Sequence, residues 1–448
     1  MRNLLTGLLM IMALAVNAQR DSVLLTLDHC IQVALENNIA LQQAENNALI
    51  AKSAKNQAVM NILPDLNAEW NFNLLYGTFW DNVAARQVTQ QRSSNPNINS
   101  SFTVFSGLSQ KHNVKSSQLN YEAAEYNIEA TTLTTKTNVL TAYLAVVLDR
   151  ENIGISEKRL KLLSAQLDRE VKRESVGVGN METVYNFRSQ VANEKLSLTN
   201  LKNQLRSDML TLIQLLRLDP SVRYVLEVQE ENNIDLLMEP DTYSDVLDES
   251  LIASPSIKGS QASHEASIYN YKMAKSSLMP TVSLYGEIGS RYSSQGAANP
   301  ENNLIPEKAP YWDQMDWNEY QFLGASVRLP IFARFQRSNN IQRAKLTMLN
   351  AELQNLQSEQ NVTNTVQKVY LDLISSQESY RTAMENLNAL EQSFDFVTKR
   401  YETGNTDFYT YLESLNNKNR AEIELVNARY SIIFRKKILD LYRGDQLN

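Results

Sequence analysis

The chain has 448 residues, of which only 13 are Gly and 10 are Pro, under half of the roughly 12% an average protein carries. Turns draw on both residues, so connections are few and elements long, which excludes a compact α/β enzyme with a turn every dozen residues. The net charge of −7, with no basic block, is the wrong sign for a nucleic-acid binder, and ordinary apolar (43%) and charged (21%) fractions exclude disorder.

The first 18 residues read as a secretory signal. Arg2 gives the positive start, Leu4 to Val16 the apolar run, and Val16-Asn17-Ala18 the small-residue cleavage site. That run is short of the ~20 residues a spanning helix needs. The single cysteine, Cys30, permits no intramolecular disulfide and no cysteine-rich metal site. His29, His112 and His264 are too far apart for helical metal ligation. No metal or cofactor is expected.

The rest of the chain is written twice. Ala34-Leu35 corresponds to Ser250-Leu251, and Leu63-Pro64-Asp65 to Met279-Pro280-Thr281, at an offset of 216. Phe105 then matches Phe332, Tyr143-Leu144 matches Tyr370-Leu371, and Gly177 matches Gly404, at an offset of 227. This divides the chain into a first repeat (19–217), a connecting segment (218–243), a second repeat (244–442) and a tail (443–448). Each repeat is expected to run helix, strand, loop, strand, very long helix, Gly turn and returning helix.

The helices carry coiled-coil spacing. From Leu108 to Val171 there is no Pro and only Gly154. Leu346, Leu349, Leu353 and Leu356 step 3, 4, 3, while Val184, Phe187, Val191, Leu198, Leu205 and Leu212 keep a 3.5-residue seam on the return. Glu194 and Asp208 break that seam. The helix before Pro64 has an alanine seam instead, at Ala44, Ala48, Ala51 and Ala58.

Four strands are expected at about 66–76, 98–106, 281–292 and 320–332. Leu66, Trp70, Phe72, Leu74 and Tyr76 face one way, and Asn67, Glu69, Asn71 and Asn73 the other. One apolar and one polar face over 9–11 residues is the pattern either of a half-buried soluble sheet or of an outer-membrane barrel wall with a wet lumen. Four strands cannot close, and an open edge is impossible in lipid, so if these strands span a membrane copies must associate: two give eight strands, three give twelve. The polar stretches Asp81 to Asn97 and Ser293 to Asn318 are expected to be external loops.

These residues resemble the TolC-like outer-membrane efflux proteins. The carriers are the Ala34-Leu35-x-Asn37-Asn38 opening, the Leu63-Pro64 and Met279-Pro280 helix-to-strand junctions, and Arg400-Tyr401-Glu402-Thr403-Gly404 followed by Tyr411-Leu412. The resemblance implies a homotrimer, mostly helical, whose twelve strands form one barrel in outer-membrane lipid, continued by a periplasmic α-helical barrel. It further implies an exit duct fed by an inner-membrane pump or transporter through a periplasmic adaptor, for efflux or type I secretion. Residues 218–243 would form a belt around the tunnel.

In that family a gate lies at the periplasmic tip. The gate tyrosine is matched by Tyr401. The usual constriction Asp falls at Thr410, with Thr183 in the first repeat, and Glu413 takes the place of a second Asp; Glu182 and Asp407 are the nearest other acids. Three inward copies of Glu413 would make a cation-favouring ring. Gly177 and Gly404 read as helix C-caps where the chain reverses. The resemblance adds that the turns holding Gly177, Gly179 and Asn180, and Gly404, Asn405 and Thr406, dock the adaptor. The competing function is a periplasmic coiled-coil scaffold that never enters the membrane. The sequence holds no Ser/His/Asp order, metal cluster or phosphate loop of an enzyme.

Overall fold

The computed structural model describes residues 23–81, 86–227, 241–298 and 306–445. The signal segment 1–18, residues 228–240 of the connecting segment and residues 446–448 of the tail lie outside them.

The helices come in pairs of equal length. α1 (Leu27–Asn37) and α5 (Tyr243–Ala253) have 11 residues each, and α2 (Ile39–Met60) and α6 (Pro255–Ser276) have 22. α3 (Ser109–Ser175) and α8 (Gln336–Glu402) have 67, about 100 Å at 1.5 Å per residue; α4 (Met181–Leu216) and α9 (Phe408–Arg443) have 36. The first two pairs are offset by 216 and the last two by 227. α3 and α8 run four and three residues past the ends expected at Val171 and Lys399. The glycine caps that follow them, not the last apolar seam position, set where they stop.

Two compact units make up the chain. One comprises the N-terminal stretch to Asn46 with Tyr126–Lys258 and Gln357–Asn448. Its core packs Val139, Leu140, Val146 and Val147 of α3 against Leu212 and Leu216 of α4, Val366 and Leu373 of α8, and Ile432 and Leu439 of α9. A short parallel pair, β1 (Val23–Leu25) with β4 (Tyr224–Leu226), lies on this core. Tyr143 donates its hydroxyl to Glu227 O at 2.6 Å, and Arg150 donates to Leu226 O. Three-residue strands have no periodicity to read, so this pair has no counterpart among the expected strands. Cys30 is fully buried in the same core, and burial pushes its thiol up to about 12. At the end of α4, Arg217 adopts a left-handed cap (φ 54), Asn37 Nδ2 donates to Leu216 O, and Arg217 donates back to Asn37 O, both at 3.3 Å. The returning helix thus meets the chain where α1 gives way to α2.

The other unit comprises Asn47–Glu125 and Gly259–Leu356. Its sheet has the order β2-β3-β5-β9, formed by β2 (Asn67–Asp81), β3 (Arg86–Phe105), β5 (Thr281–Gly289) and β9 (Tyr320–Arg328), each antiparallel to its neighbour. The first hairpin corrects the sequence reading. Residues 86–97, expected within a loop from Asp81 to Asn97, are strand: β3 begins at Arg86 and pairs with β2 back to Asp81. A polar ribbon needs only its hydrogen-bond ladder, and Pro96, which sits within β3, tolerates the missing donor there while its carbonyl accepts from Ser290. In the second hairpin both strands are shorter than expected, ending at Gly289 and Arg328. Pro330 stops β9, leaving Leu329 and Ile331 outside the sheet.

The stretch expected as a loop after Ser293 also holds structure. β6 (Tyr292–Ser293) pairs with β3, β7 (Ala297–Ala298) pairs with β8 (Pro306–Glu307), and α7 (Tyr311–Trp317) follows. The buried Gln314 accounts for it. Its side chain donates to Ala309 O and accepts from Ser293 N, fastening α7 to the sheet.

The apolar face of β2 is bare. Leu66, Trp70, Phe72 and Tyr76 are each about 70% exposed, and Leu323 and Val327 of β9 likewise lie open. β2 and β9 are the two outer strands, so each presents an unpaired edge.

Candidate functional site

The tip turns are built by their caps. Gly177 (φ 81) donates its N–H to Glu174 O and Val178 to Arg173 O, at 2.9 and 3.0 Å. Gly404 (φ 79) donates to Tyr401 O and Asn405 to Arg400 O, at 3.1 and 2.8 Å. Each is the paired C-terminal motif that a left-handed glycine allows. Gly179 is needed for another reason: a Cβ there would lie 2.4 Å from the Glu174 backbone nitrogen. Its counterpart is Thr406, so the second turn makes no such close approach.

The returning helices are capped by side chains. Asn180 Oδ1 accepts from Glu182 N at 2.9 Å, and Asp407 accepts from Thr410 N at 2.9 Å and from Thr410 Oγ1 at 2.7 Å. Those hydrogen bonds, led by the Thr410 backbone, hold the Asp407 carboxyl below its ordinary range. Asp407 and Thr410 therefore act together on a helix start. Thr410 and Glu413 lie three residues apart on the exposed face of α9, and Glu182 is exposed with Thr183 half-buried beside it.

Behind the turns is an aromatic core. Phe187 meets Phe408 edge-on at 4.7 Å between centroids, Tyr401 stacks on Tyr411 at 4.9 Å, and Leu163 fills between them. Phe187 belongs to the first tip and Tyr401, Phe408 and Tyr411 to the second, so this cluster joins the two. The Tyr401 hydroxyl hydrogen-bonds to Glu170, a buried carboxylate that also pairs with Arg173 at 3.4 Å. Burial, then the Glu170 charge, holds the Tyr401 phenol far above the ordinary tyrosine value. Burial likewise raises Tyr411 to about 12. An ion pair of 2.5 Å between Arg169 and Glu402 ties α3 to α8 beside the cluster.

A second polar layer lies further along the helices. Glu194, the carboxylate in the apolar seam of α4, is 6% exposed. Ser156 donates to it at 2.6 Å, and Arg159 pairs with it at 3.3 Å while donating to Asn416 of α9. Asp149, on α3, is raised to about 6 by burial and by hydrogen bonding to Asp208, the other carboxylate of that seam. Sequence reading singled out Tyr401 but missed Glu170, Arg159 and Asn416. The break in the seam at Glu194 was the available signal, because a carboxylate placed among leucines requires a partner.

Among the described residues there is no cluster able to hold a metal ion, and no helix is long and apolar enough to cross a membrane. The exposed amphipathic sheet joined to duplicated helical hairpins is the architecture of an outer-membrane protein with a periplasmic helical portion. The family model described as Outer membrane efflux protein matches residues 30–216 and again 246–440. The chain belongs to that family. It is 21% identical over 303 residues to outer membrane protein TolC of Escherichia coli (strain K12), spanning 67% of this chain and 59% of that relative. Among solved structures, CusC superposes with a TM-score of 0.79 at 17% identity, covering 94% of this chain and 92% of that one. The outer membrane protein VceC of Vibrio cholerae gives 0.78 at 17% identity over 94% and 97%. The CmeC outer membrane channel of Campylobacter jejuni gives 0.74 at 17% identity over 93% and 85%.

Proposed function

We propose that three copies of this chain close their sheets into one twelve-stranded barrel in the outer membrane, continued by a periplasmic α-helical barrel, and that the assembly is a passive exit duct. The observation that carries this reading is the sheet itself. It has an exposed apolar face and two unpaired edges, β2 and β9, and a bilayer tolerates no open edge. Joining β9 of each copy to β2 of the next removes all six edges. Substrates would be delivered by an inner-membrane transporter through a periplasmic adaptor; channel relatives of the same fold support this, and no catalytic role is assigned.

At the tip, Tyr401 serves as the latch. Its buried hydroxyl engages Glu170, so opening must expose a desolvated pair. Glu413, with Thr410 beside it, forms the constriction ring, while Glu182, Thr183 and Asp407 border it. The adaptor docks on the exposed turns at Gly177, Gly179 and Asn180, and at Gly404, Asn405 and Thr406.

Outer-membrane fractionation and gel mobility before and after heating test the assembly. A heat-dissociable trimer that conducts ions in a planar bilayer is expected, whereas a water-soluble periplasmic monomer overturns the duct. Glu413→Gln is expected to lower cation selectivity, and unchanged selectivity removes Glu413 from the constriction.

A further inference from the structure

An acidic protein carries a zone almost free of acids where its helices meet its sheet. No Asp or Glu occurs between Glu45 and Asp65, Asp81 and Glu122, Glu265 and Glu287, or Glu319 and Glu352. Those stretches hold the four helix–strand junctions of the sheet unit except for Asp65, the one acid of the α2–β2 junction, which accepts from Ser101 N and Ser101 Oγ. Lys52 and Lys55 lie near the end of α2, and Lys272 and Lys275 near the end of α6. Lys111 and Lys115 lie in the first turns of α3, and Arg334 and Arg337 flank the start of α8. All eight are exposed or half-exposed, and among the described residues none has an ion-pair partner. Three lie over tyrosine rings instead: Lys55 over Tyr121, Lys272 over Tyr269 and Lys275 over Tyr271, at 5.2, 4.5 and 4.5 Å.

One junction has a cleft. It has a volume of about 390 Å³ and is lined by Ile62, Phe105, Leu108 and Val114 together with Lys111 and Lys115. The two lysines are four residues apart, so they share a helix face, where like charges repel. His112 between them is held below its ordinary range by burial and by the charges of Lys272 and Lys111. The site therefore combines an apolar wall continuous with the exposed sheet and an uncompensated positive one. Lys115 lies six residues into α3, about 9 Å along the axis. A headgroup layer is roughly 5–8 Å deep on each side of the hydrocarbon, and a lysine side chain reaches the difference.

We propose that this cleft binds an anionic phospholipid of the periplasmic leaflet, its phosphate between Lys111 and Lys115 and its acyl chain along Ile62, Phe105 and Leu108. The inference rests on the membrane-inserted reading above. The remaining basic residues at the junctions form a collar around the barrel foot that draws the same headgroups. Anionic lipid thereby fixes the depth at which barrel gives way to helix.

The test uses the full chain, purified in mild detergent and placed in nanodiscs of phosphatidylcholine or of an equimolar mixture with phosphatidylglycerol. The readouts are the temperature at which the assembly dissociates and the lipid retained after detergent washing, by mass spectrometry. The wild-type protein is expected to retain phosphatidylglycerol selectively and to dissociate at a higher temperature in the mixture. K111Q/K115Q is expected to lose both effects, with retention falling on the order of tenfold, and to match wild type in phosphatidylcholine; K111R/K115R keeps both. Inorganic phosphate added to phosphatidylcholine discs is expected to reproduce neither. The proposal is overturned if K111Q/K115Q behaves as wild type, if the distant pair K161Q/K195Q loses as much, or if free phosphate suffices. It is also overturned if K111Q/K115Q falls apart in phosphatidylcholine, which makes the cleft a contact between copies. Failure of wild type to enter either disc as a heat-dissociable assembly would instead count against the barrel.

Discussion

Arg159 of α3 and Glu194 of α4 form an ion pair of 3.3 Å in which the carboxylate is 6% exposed and the guanidinium also reaches Asn416 of α9. One arginine thus joins the two repeats of a protomer. Removing one partner from a buried pair strands the other charge, at a cost of about 3–5 kcal/mol. Arg159→Met is therefore expected to destabilise strongly, and the pair Arg159→Met with Glu194→Leu to recover most of the loss. Thermal melting of the detergent-solubilised protein, followed by helical circular dichroism, checks both.

The Tyr401 phenol titrates far above its ordinary value of 10.0 in the folded chain. A raised folded pKa means that this contribution to stability is intact below pH 10 and is lost as pH climbs beyond it. The tip is expected to loosen in strong alkali, seen as faster proteolysis between α3 and α4 or between α8 and α9. Tyr401→Phe should blunt that alkaline step, because the ionising group is gone. At neutral pH it should cost about 1–2 kcal/mol, through the hydrogen bond withdrawn from Glu170, and raise single-channel conductance.

The two glycines of the first turn differ in what they tolerate. At Gly177 a Cβ meets nothing within 4 Å, so Gly177→Ala suffers only from its positive φ, at about 1–2 kcal/mol. Gly177→Asn should cost less, since Asn enters that region more readily. Gly179→Ala forces a backbone clash and should displace the whole turn. Export complementation and proteolysis of the tip should rank the variants Gly177→Asn, Gly177→Ala, Gly179→Ala, from mildest to most severe.

Gly324 lies opposite Tyr285, whose ring would come within 2.6 Å of an added Cβ. The tyrosine covers the glycine backbone, which restores the contact a side chain would have made. Gly324→Val should expel the ring at about 1–3 kcal/mol. A lower fraction of heat-modifiable, membrane-inserted protein on gels is the expected outcome.

Much of this architecture was legible in the sequence, for physical reasons. The offsets of 216 and 227 read from Pro64 and Gly177 are the offsets between paired helix starts, because the residues that end helices survive duplication best as recognisable marks. The apolar alternation of Leu66 to Tyr76 located β2, because strict period-two alternation of apolar and polar residues marks a strand with two unlike faces. The polar half of β3 was not legible. Gln87 to Asn95 has no apolar face to alternate, and its strand depends on pairing with β2 and, at Ser93 and Ser94, with β6. At the tip, Tyr401 was readable from a local motif, but Glu170 was not. The two are 231 residues apart, and their meeting depends on how the repeats pack.

The two hairpins differ in height. β3 continues seven residues beyond Ser93, where its pairing with β6 ends, on the order of 23 Å at 3.3–3.4 Å per residue. In the proposed trimer, three tall ribbons would alternate with three low lobes capped by α7. Anything arriving from outside the cell, whether an antibody or a phage tail, would touch the ribbons first. On the β3 side of each ribbon, Gln87 to Asn95 is almost wholly polar, so variation can accumulate there, whereas the exposed apolar Leu74 and Tyr76 on the β2 side are held to their pattern.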